Sequence, residues 1–461
     1  MNKAQLCLPI EKIEAPIRDD RDIWRPIHYL GSKLRIVEPI RSAIDRVEPD
    51  GGPVCDLFAG SGTVSAALSF SRRVIAVDIQ EYSRVLCSAI LRRVTLTDFE
   101  VRRFTERALG PGHSKRLECA SPLSDYETEC LKKAALGNVA PICELIEHAS
   151  IAAFEGSRLS AVSPALAQAV MRTRDLIKAS YGDDFRQTLI LNHFGGLYFS
   201  YRQAAQLDSL LAAAHNESER ARDLLLASII SAASEAVNTV GKHFAQPIRP
   251  RGSDGKPKRH LIGKILRDRA FDIVSLFSEW LERYRSLPMP EHQHTVIRAD
   301  FADALTQVKG HVGAVYADPP YTRDHYSRFY HVLETMCLWD DPGISTTRIR
   351  ATTDRYSRGM YRAQRHQSPF CIKSQAPGAF ERLFDSVKAL RVPLVLSYSP
   401  YASNQQARPR VMTVDEISAL AKRFFNRVEQ LSAGRISHMK LNTSRFNSDP
   451  SYDAELIFLC T

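Results

Sequence analysis

The sequence predicts an α/β protein with a doubly wound, mainly parallel β-sheet, interrupted by a large, mostly helical inserted domain. Three observations favour this fold. Apolar, strand-like runs end in acidic residues in both halves of the chain, a glycine-rich turn follows the first of them, and helix-period segments fill the stretch between. In such sheets, strands alternate with helices and ligands bind beyond the carboxyl ends of the strands. The length of 461 residues suits one domain with a large insertion, or two to three domains.

The first β-α-β unit lies near the N-terminus. A buried strand is followed by a glycine turn and a helix, and a second buried strand ends in Asp78 before another helix. This order is typical of a Rossmann-like sheet. The segments are strand 53–58, turn Ala59-Gly60-Ser61-Gly62, helix 63–70, strand 74–78 and helix 81–92.

The remaining strands come much later, after a long helical stretch. The predicted helices are 127–135, 140–153, 164–179, 203–214, 221–240 and 261–287, and the later strands are 294–297, 313–317, 393–398 and 456–460. Ser163 followed by Pro164 marks the start of the third helix, because serine caps helices and proline is favoured at the first helical position. We therefore assign 1–24 to an N-terminal extension, 25–100 and 291–461 to a split α/β domain, and 101–290 to the helical insertion.

Composition places the chain among globular proteins with a polyanionic partner. Hydrophobic residues make up 44% and charged residues 25%, which excludes wholesale disorder. Lys and Arg outnumber Asp and Glu by 62 to 52, a net charge of +10 that favours nucleic acid or a membrane surface as partner. No apolar run is long enough to cross a membrane, and the nine cysteines contain no C-x-x-C pair. We expect a cytoplasmic protein without a membrane span, a disulfide framework or a zinc site.

The glycine turn predicts a site for a nucleotide-type cofactor. Glycines let the backbone turn sharply beside a ligand, and the following helix offers unpaired N–H groups. Because the turn begins with Asp56 and lacks G-x-G-x-x-G, it suits a cationic group such as the α-amino group of S-adenosylmethionine. Asp78, at the end of the next strand, is placed to accept hydrogen bonds from ribose hydroxyls. The alternative is an ordinary tight turn of an α/β protein.

The tetrad Asp318-Pro319-Pro320-Tyr321 follows an apolar strand. Two prolines supply no backbone N–H and fix φ, so the segment ends the strand as a rigid loop at the carboxyl edge of the sheet. It presents a carboxylate, the Pro319 carbonyl and an aromatic face. Two acceptors and a stacking surface match an exocyclic amine on a planar base. The alternative is a loop stiffened by proline.

Together these motifs resemble the DNA adenine-N6 methyltransferases of the Dam-like class alpha. His28 to Lys33 is similar to the family's first motif, W-x-G-G-K, with Tyr29 for Trp and Ser32 for the second Gly. Asp56 to Gly62 resembles the cofactor motif, Arg298 to Phe301 the short acidic step, and Asp318 to Tyr321 the catalytic tetrad. The resemblance covers about 25–95 and 295–335 well, and Leu396 to Tyr398 loosely.

The resemblance implies a split methyltransferase domain, S-adenosylmethionine as cofactor and double-stranded DNA as substrate, without a metal. Asp318 and the Pro319 carbonyl would accept both N–H protons of the amine and free its lone pair for in-line attack on the sulfonium methyl. Tyr321 would stack on the flipped adenine. Asp318 should be ionised or nearly so, and His28 and His325 should be structural. The implied catalytic residues are Asp318, Pro319, Pro320 and Tyr321, and the implied cofactor residues are Tyr29, Gly31, Lys33, Asp56, Phe58, Ala59, Gly60, Ser61, Gly62, Asp78 and Asp300.

Two basic segments account for the net charge. Residues 242–269 carry nine Lys and Arg against two Asp, and residues 348–373 carry seven against one Asp. Phosphate contacts, with aromatic stacking or groove insertion, would explain both segments; a solvated basic surface is the alternative. Both should lie on the rim of the sheet's carboxyl edge. The candidate DNA-binding residues are Arg249, Arg251, Lys256, Lys258, Arg259, Arg355, Arg358 and Arg362.

Three other functions stay open at this point. An RNA adenine methyltransferase would use the same tetrad, and a protein glutamine methyltransferase uses a related N-P-P-Y tetrad but has no need of clustered basic charge. A non-catalytic DNA-binding module would not need Asp318, Gly60, Gly62 and Asp78 intact. For the DNA enzyme we expect a nucleoid-associated location and a cognate restriction or defence component as partner.

Overall fold

A computed structural model describes residues 11–12, 25–29, 33–148, 150–154, 162–322, 326–349, 353–399, 410–433 and 455–461. Ten strands lie in these residues: β1 Glu11–Lys12, β2 Val54–Asp56, β3 Val74–Asp78, β4 Thr295–Arg298, β5 Ala314–Ala317, β6 Thr346–Ile349, β7 Thr353–Tyr356, β8 Leu394–Tyr398, β9 Val428–Ser432 and β10 Leu456–Cys460. Eight form one sheet in the order β1-β9-β10-β8-β5-β2-β3-β4, and β6 and β7 form a separate hairpin.

The large sheet is doubly wound around β2. That strand pairs in parallel with β3 on one side and with β5 on the other. From β2 the chain moves outward through β3 to β4, and then returns to β5 on the opposite side. The direction of winding therefore reverses between β2 and β5, which is where open α/β sheets bind their ligands. The predicted Rossmann-like α/β fold is confirmed, with β10 antiparallel between β8 and β9.

Seventeen helices connect the strands of the described residues. They are α1 Val37–Val47, α2 Thr63–Leu68, α3 Glu81–Leu91, α4 Asp98–Ala108, α5 Pro111–Ala135, α6 Ala140–His148, α7 Pro164–Tyr181, α8 Leu189–Phe194, α9 Tyr201–Ala214, α10 Glu219–Ala236, α11 Ile262–Arg269, α12 Ile273–Ser286, α13 Phe301–Gln307, α14 Tyr326–Phe329, α15 His331–Leu338, α16 Ala376–Leu390 and α17 Val414–Ala421. None is long and apolar enough to cross a membrane.

Side-chain caps explain where several of these helices begin. Ser163 caps α7 by accepting a hydrogen bond from the Leu166 N–H, as predicted from Ser163-Pro164. Ser200 forms a reciprocal capping box with Gln203 at the start of α9. The predicted helix 261–287 is two helices, because Asp272 caps a new start by accepting from the Ser275 N–H.

The helical stretch shares one hydrophobic core with the sheet. Buried residues of β2 and β3, such as Val54 and Val74, belong to the same cluster as Leu210 and Ile229 of α9 and α10. Helix α10 also packs on α3, where Arg84 forms a two-fold ion pair with Asp223 at 2.9 and 2.6 Å. The opposite face of the sheet is covered by α13, α16 and α17 in a second core.

Part of the predicted basic segment 242–269 is internal. Arg269 is buried and forms an ion pair with the buried Glu127 of α5. Lys242 and Lys264 both bind the fully buried Asp268, at 3.2 and 2.8 Å. These three basic residues therefore stabilise the helical stretch, and only the rest of the segment is available to a partner.

We expect Arg269→Met to lower the free energy of unfolding by about 3–5 kcal/mol, because the Glu127 carboxylate would remain buried without its partner. Urea unfolding of the purified variant measures the loss. The matched control is Lys132→Met, which removes a pair with Glu129 on the exposed face of α5 and should leave stability unchanged. Equal effects of the two substitutions would contradict the buried pair.

Candidate active site

A cavity opens at the carboxyl ends of β2 and β5, where the winding of the sheet reverses. The predicted motifs, which are far apart in sequence, meet in its walls. Its lining includes the following predicted residues: Tyr29, Lys33, Asp56, Phe58, Ala59, Ser61, Asp78, Asp300, Asp318, Pro319, Pro320 and Tyr321. Gly60 and Gly62 shape the turn beneath it, whereas Gly31 and His325 lie outside the described residues.

The glycine turn needs both of its glycines. Gly60 has φ +55° and Gly62 has φ +76°, a left-handed backbone that side chains disfavour. The Gly60 N–H donates a hydrogen bond to Asp78 Oδ2 at 3.0 Å. A Cβ atom at Gly60 would lie 2.6 Å from the hydroxyl oxygen of Tyr29, whose ring stacks on Tyr330 at 5.0 Å. The turn is therefore fixed between β3 and the first motif.

Asp56 is buried with one oxygen unsatisfied. Its Oδ2 accepts a hydrogen bond from the Ser65 hydroxyl at 2.6 Å, while its Oδ1 has no partner among the described residues. Burial raises the pKa of Asp56 to about 7, and the Ser65 hydrogen bond opposes the shift. A buried carboxylate oxygen without a donor costs free energy until a ligand supplies one. A cationic donor in the cavity would both satisfy this oxygen and favour the ionised form.

Asp78 and Asp300 present oriented carboxylates to the same cavity. Asp78 Oδ1 accepts a hydrogen bond from the Gln80 N–H at 2.9 Å, and burial raises the pKa of Asp78. Asp300 caps α13 through the Ala302 N–H at 3.1 Å.

Beside Asp300 stand three mutually packed phenylalanines. Their ring centroids are 5.4 to 5.9 Å apart, and the residues are Phe58, Phe301 and Phe370. Phe370 belongs to no predicted motif, and the cavity wall beside it also contains His366, Ser368 and Pro369. The group forms an apolar wall suited to packing against an aromatic ligand.

The tetrad carries a buried ionic cluster. Lys33 Nζ lies 3.0 Å from Asp318 Oδ1, 2.6 Å from Glu455 Oε1 and 3.4 Å from the Tyr321 hydroxyl. Burial raises the pKa of Asp318 to about 6, against the attraction of the Lys33 ammonium. Asp318 therefore stays mainly ionised at neutral pH. The described contacts of Lys33, predicted as a cofactor residue, are to the tetrad and to Glu455.

Glu455 was not predicted, and no pattern in the sequence marks it. It immediately precedes β10, whose pairing with β8 brings it to the tetrad. Tyr321 is fixed on its other side, because its ring packs edge-to-face on Tyr398 at 5.2 Å and the Arg410 guanidinium lies 4.9 Å from its centroid.

The two basic segments, about 100 residues apart, meet beside the cavity. Arg358 donates a hydrogen bond to the Ile248 carbonyl at 3.0 Å, and the Tyr361 hydroxyl donates to the Ala245 carbonyl. The Arg328 and Arg365 guanidinium groups lie 5.8 and 5.2 Å from the Tyr361 ring centroid. We call Arg249, Arg328, Arg358 and Arg365 the arginine cluster; Arg328 and Arg365 were not among the predicted residues.

Several predicted DNA contacts have other surroundings. Arg362, a predicted DNA contact, is buried and binds Asp340 through two hydrogen bonds of 2.6 and 2.8 Å, so its guanidinium is paired within the protein. Arg251 pairs with Glu147 at 3.1 Å. Lys256 and Arg259 are exposed and Lys258 is half-buried in or beside the turn at 250–258, while the side chain of Arg355 lies outside the described residues. His28 is half-buried, and burial lowers its pKa to about 4, as suits a structural residue.

A sequence profile of the D12 class N6 adenine-specific DNA methyltransferases matches residues 29–112 and 277–392. The chain is also similar to modification methylase LlaI of Lactococcus lactis subsp. lactis, with 35% identity over 109 residues, which is 24% of this chain and 14% of that protein. It is 23% identical to type II methyltransferase M.NlaIII of Neisseria lactamica over 370 residues, covering 77% of this chain and 79% of the relative.

We expect Gly60→Ala to lower the free energy of unfolding by about 1–2 kcal/mol, because alanine disfavours left-handed backbone and its methyl group would displace Tyr29. Chemical denaturation measures this. Gly263→Ala is the control, since a Cβ atom there meets no atom within 4 Å and the residue lies in α11. Alanine at 263 should be neutral or stabilising. A Gly60→Ala protein as stable as the control would contradict the close approach.

Proposed function

We propose that this chain is a D12 class N6 adenine-specific DNA methyltransferase and that it transfers a methyl group from S-adenosylmethionine to the N6 amine of adenine in double-stranded DNA. One observation carries the proposal. The tetrad Asp318–Tyr321 at the end of β5 shares one cavity with Asp56 at the end of β2, whose Oδ1 has no partner among the described residues. This arrangement supports an acceptor set for an amine beside an acceptor for a cationic cofactor.

The order of the motifs supports the Dam-like class alpha. The first motif and the glycine turn precede the helical stretch, and the tetrad follows it. The two segments that match the family profile leave out 113–276, which supports a target-recognition role for the helical insertion at 101–290.

The cavity fits S-adenosylmethionine at three places. Asp56 Oδ1 would accept from the α-ammonium group, and Asp78 from the ribose hydroxyls. Asp300 and the three phenylalanines would hold the adenine ring. When bound, S-adenosylmethionine supplies a methyl group on a positively charged sulfur, which departs as a neutral thioether. Tyr29 and the glycine turn line the cavity and would close it beneath the bound cofactor.

The tetrad would activate the amine by accepting hydrogen bonds from its two N–H groups. Asp318 Oδ and the Pro319 carbonyl each accept one N–H, which draws the nitrogen toward sp³ geometry and frees its lone pair for attack. Pro319 and Pro320 fix the loop and offer no competing donor. Lys33 keeps Asp318 ionised, and Tyr321 stacks on the base after it leaves the duplex.

The arginine cluster is the proposed contact with the DNA backbone. Its members bear like charges. Desolvation and the neighbouring Arg249 lower the pKa of Arg358, and desolvation and Arg328 lower the pKa of Arg365. A bound anion would relieve this repulsion. Arg328 is exposed two residues after Tyr326, which lines the cavity. Phosphates held there would place the duplex at the cavity entrance. Arg251, Lys256, Lys258 and Arg259 extend the proposed surface, and Arg355 remains a candidate from the sequence alone.

The named relatives are modification enzymes, which supports a role in restriction-modification. We propose a cognate restriction or defence component as partner. Methylation by this chain should protect DNA from that component, and cleavage of fully methylated DNA would contradict the pairing.

We expect Asp318→Asn to reduce methyl transfer about 10²–10³-fold, because the amide loses the negative charge that stabilises the developing ammonium. Cofactor and DNA affinities should change little. Wild-type activity should fall as the pH drops through about 6, where the Asp318 carboxylate takes up a proton and ceases to accept. Labelled-methyl transfer measures both.

The matched control for this change is Asp385→Asn on the exposed face of α16, which should keep wild-type turnover. More than a tenth of wild-type turnover in Asp318→Asn would show that the carboxylate is not the essential acceptor.

We expect Arg249→Ala with Arg328→Ala to lower the slope of log K against log salt by roughly two, at about 0.9 per lost phosphate contact. Binding should weaken for all DNA sequences alike, since phosphates carry no sequence information. Fluorescence anisotropy at several salt concentrations measures the slope. Arg102→Ala with Arg103→Ala, exposed on α4, is the control of equal charge. An equal slope change in the control would assign the effect to net charge alone.

A further inference from the structure

Glu455 is a buried acid that contacts Lys33, a residue of the cavity lining. Its side chain is 6% exposed and its Oε1 lies 2.6 Å from Lys33 Nζ. Lys33 in turn lies 3.0 Å from Asp318, so one ammonium is held between two carboxylates. Burying Lys33 and Glu455 beside Asp318 carries a desolvation cost, which close pairing of the three charges offsets. Two carboxylates and one ammonium leave one net negative charge next to the reacting amine.

We infer that Glu455 is a positioning residue for methyl transfer, which acts through Lys33 to orient Asp318 and to keep it able to take up the proton that the amine releases. This inference rests on the proposed function. With Glu455 present, Lys33 divides its attraction between two carboxylates. With Glu455 neutral, the whole ammonium charge would fall on Asp318, which would then compete poorly for the amine protons.

The proton balance of methyl transfer also requires that Asp318 remain able to take up a proton. Once N6 carries the methyl group, it has a positive charge and one proton in excess. Asp318 accepts that proton, the N–H bonding pair stays on N6, and the neutral carboxyl later gives the proton to solvent. Burial and Glu455 raise the pKa of Asp318, which suits this acceptance. Lys33, as an ammonium, cannot accept a proton.

Other groups around Asp318 do not replace Glu455. Burial raises the pKa values of three tyrosine hydroxyls, Tyr316, Tyr321 and Tyr326, and keeps them neutral. Asp56 already accepts from Ser65, and Arg410 lies over the Tyr321 ring. Among the described residues, Glu455 is thus the second acid, besides Asp318, that pairs with Lys33.

The pH profile of kcat tests the inference. Glu455→Gln should lower kcat at neutral pH about tenfold and move the acid limb of the profile to lower pH, since removal of a negative charge makes Asp318 a weaker acceptor. KM for DNA and cofactor affinity should stay within about twofold. Glu455→Asp retains the charge and should keep the limb in place.

A double change provides a second test that does not depend on the first variant. Lys33→Met with Glu455→Gln leaves Asp318 as the single charge of the cluster, so the limb should move above its wild-type pH. Opposite shifts in the single and double variants require charge coupling, which a merely structural role would not produce.

Glu334→Gln is the matched control, because Glu334 is equally buried and bonds the N–H groups of Glu81 and Tyr82 at the start of α3. It should lower stability without moving the limb. An unmoved limb both in Glu455→Gln and in Lys33→Met with Glu455→Gln, with wild-type enzyme active, would overturn the inference alone. A wild-type enzyme that methylates no adenine would instead overturn the proposed function.

Discussion

The parallel pairing of β2 with both β3 and β5 is the constraint on which the site depends. Because the chain leaves β2 in one direction and returns to its other side, two strand ends face the same crevice at the point where the winding reverses. Asp56 ends one strand and Asp318 follows the other. Residues separated by more than 250 positions thereby share a cavity, and a helical stretch of almost 200 residues can enter the chain without disturbing them.

Buried charged groups lie both in the helical stretch and beside the cavity. Inside the helical stretch, the buried Glu127 and Arg269 are paired with each other. In the cavity the balance is incomplete: one Asp56 oxygen has no donor among the described residues, and the Lys33 cluster has one excess negative charge. Such incomplete balance is unfavourable in the free protein and becomes favourable only with a cationic ligand and a reacting amine.

Local patterns predicted what depends on neighbours in sequence. Strands β3 and β10 were predicted at their observed bounds, and the start of α7 followed from its cap. Long-range pairing was not predictable: the mixed-polarity strand β9 is recognisable only beside β10. Glu455 reaches Lys33 by the same pairing. The burial of Arg362 against Asp340 likewise depends on the fold and not on neighbours in sequence. Charge counts along a chain do not reveal which charges the fold turns inward.

Methyl transfer to the N6 amine of adenine in DNA is the reaction that we propose for this cavity. In the most direct measurement, the enzyme and isotopically labelled S-adenosylmethionine are incubated with duplex DNA, RNA and a protein substrate together. The mixture is then digested to nucleosides and amino acids and analysed by mass spectrometry. The account predicts label in N6-methyl-2′-deoxyadenosine, lost in the Asp318 variant. Label confined to ribonucleosides, to glutamine or to another DNA base would contradict it.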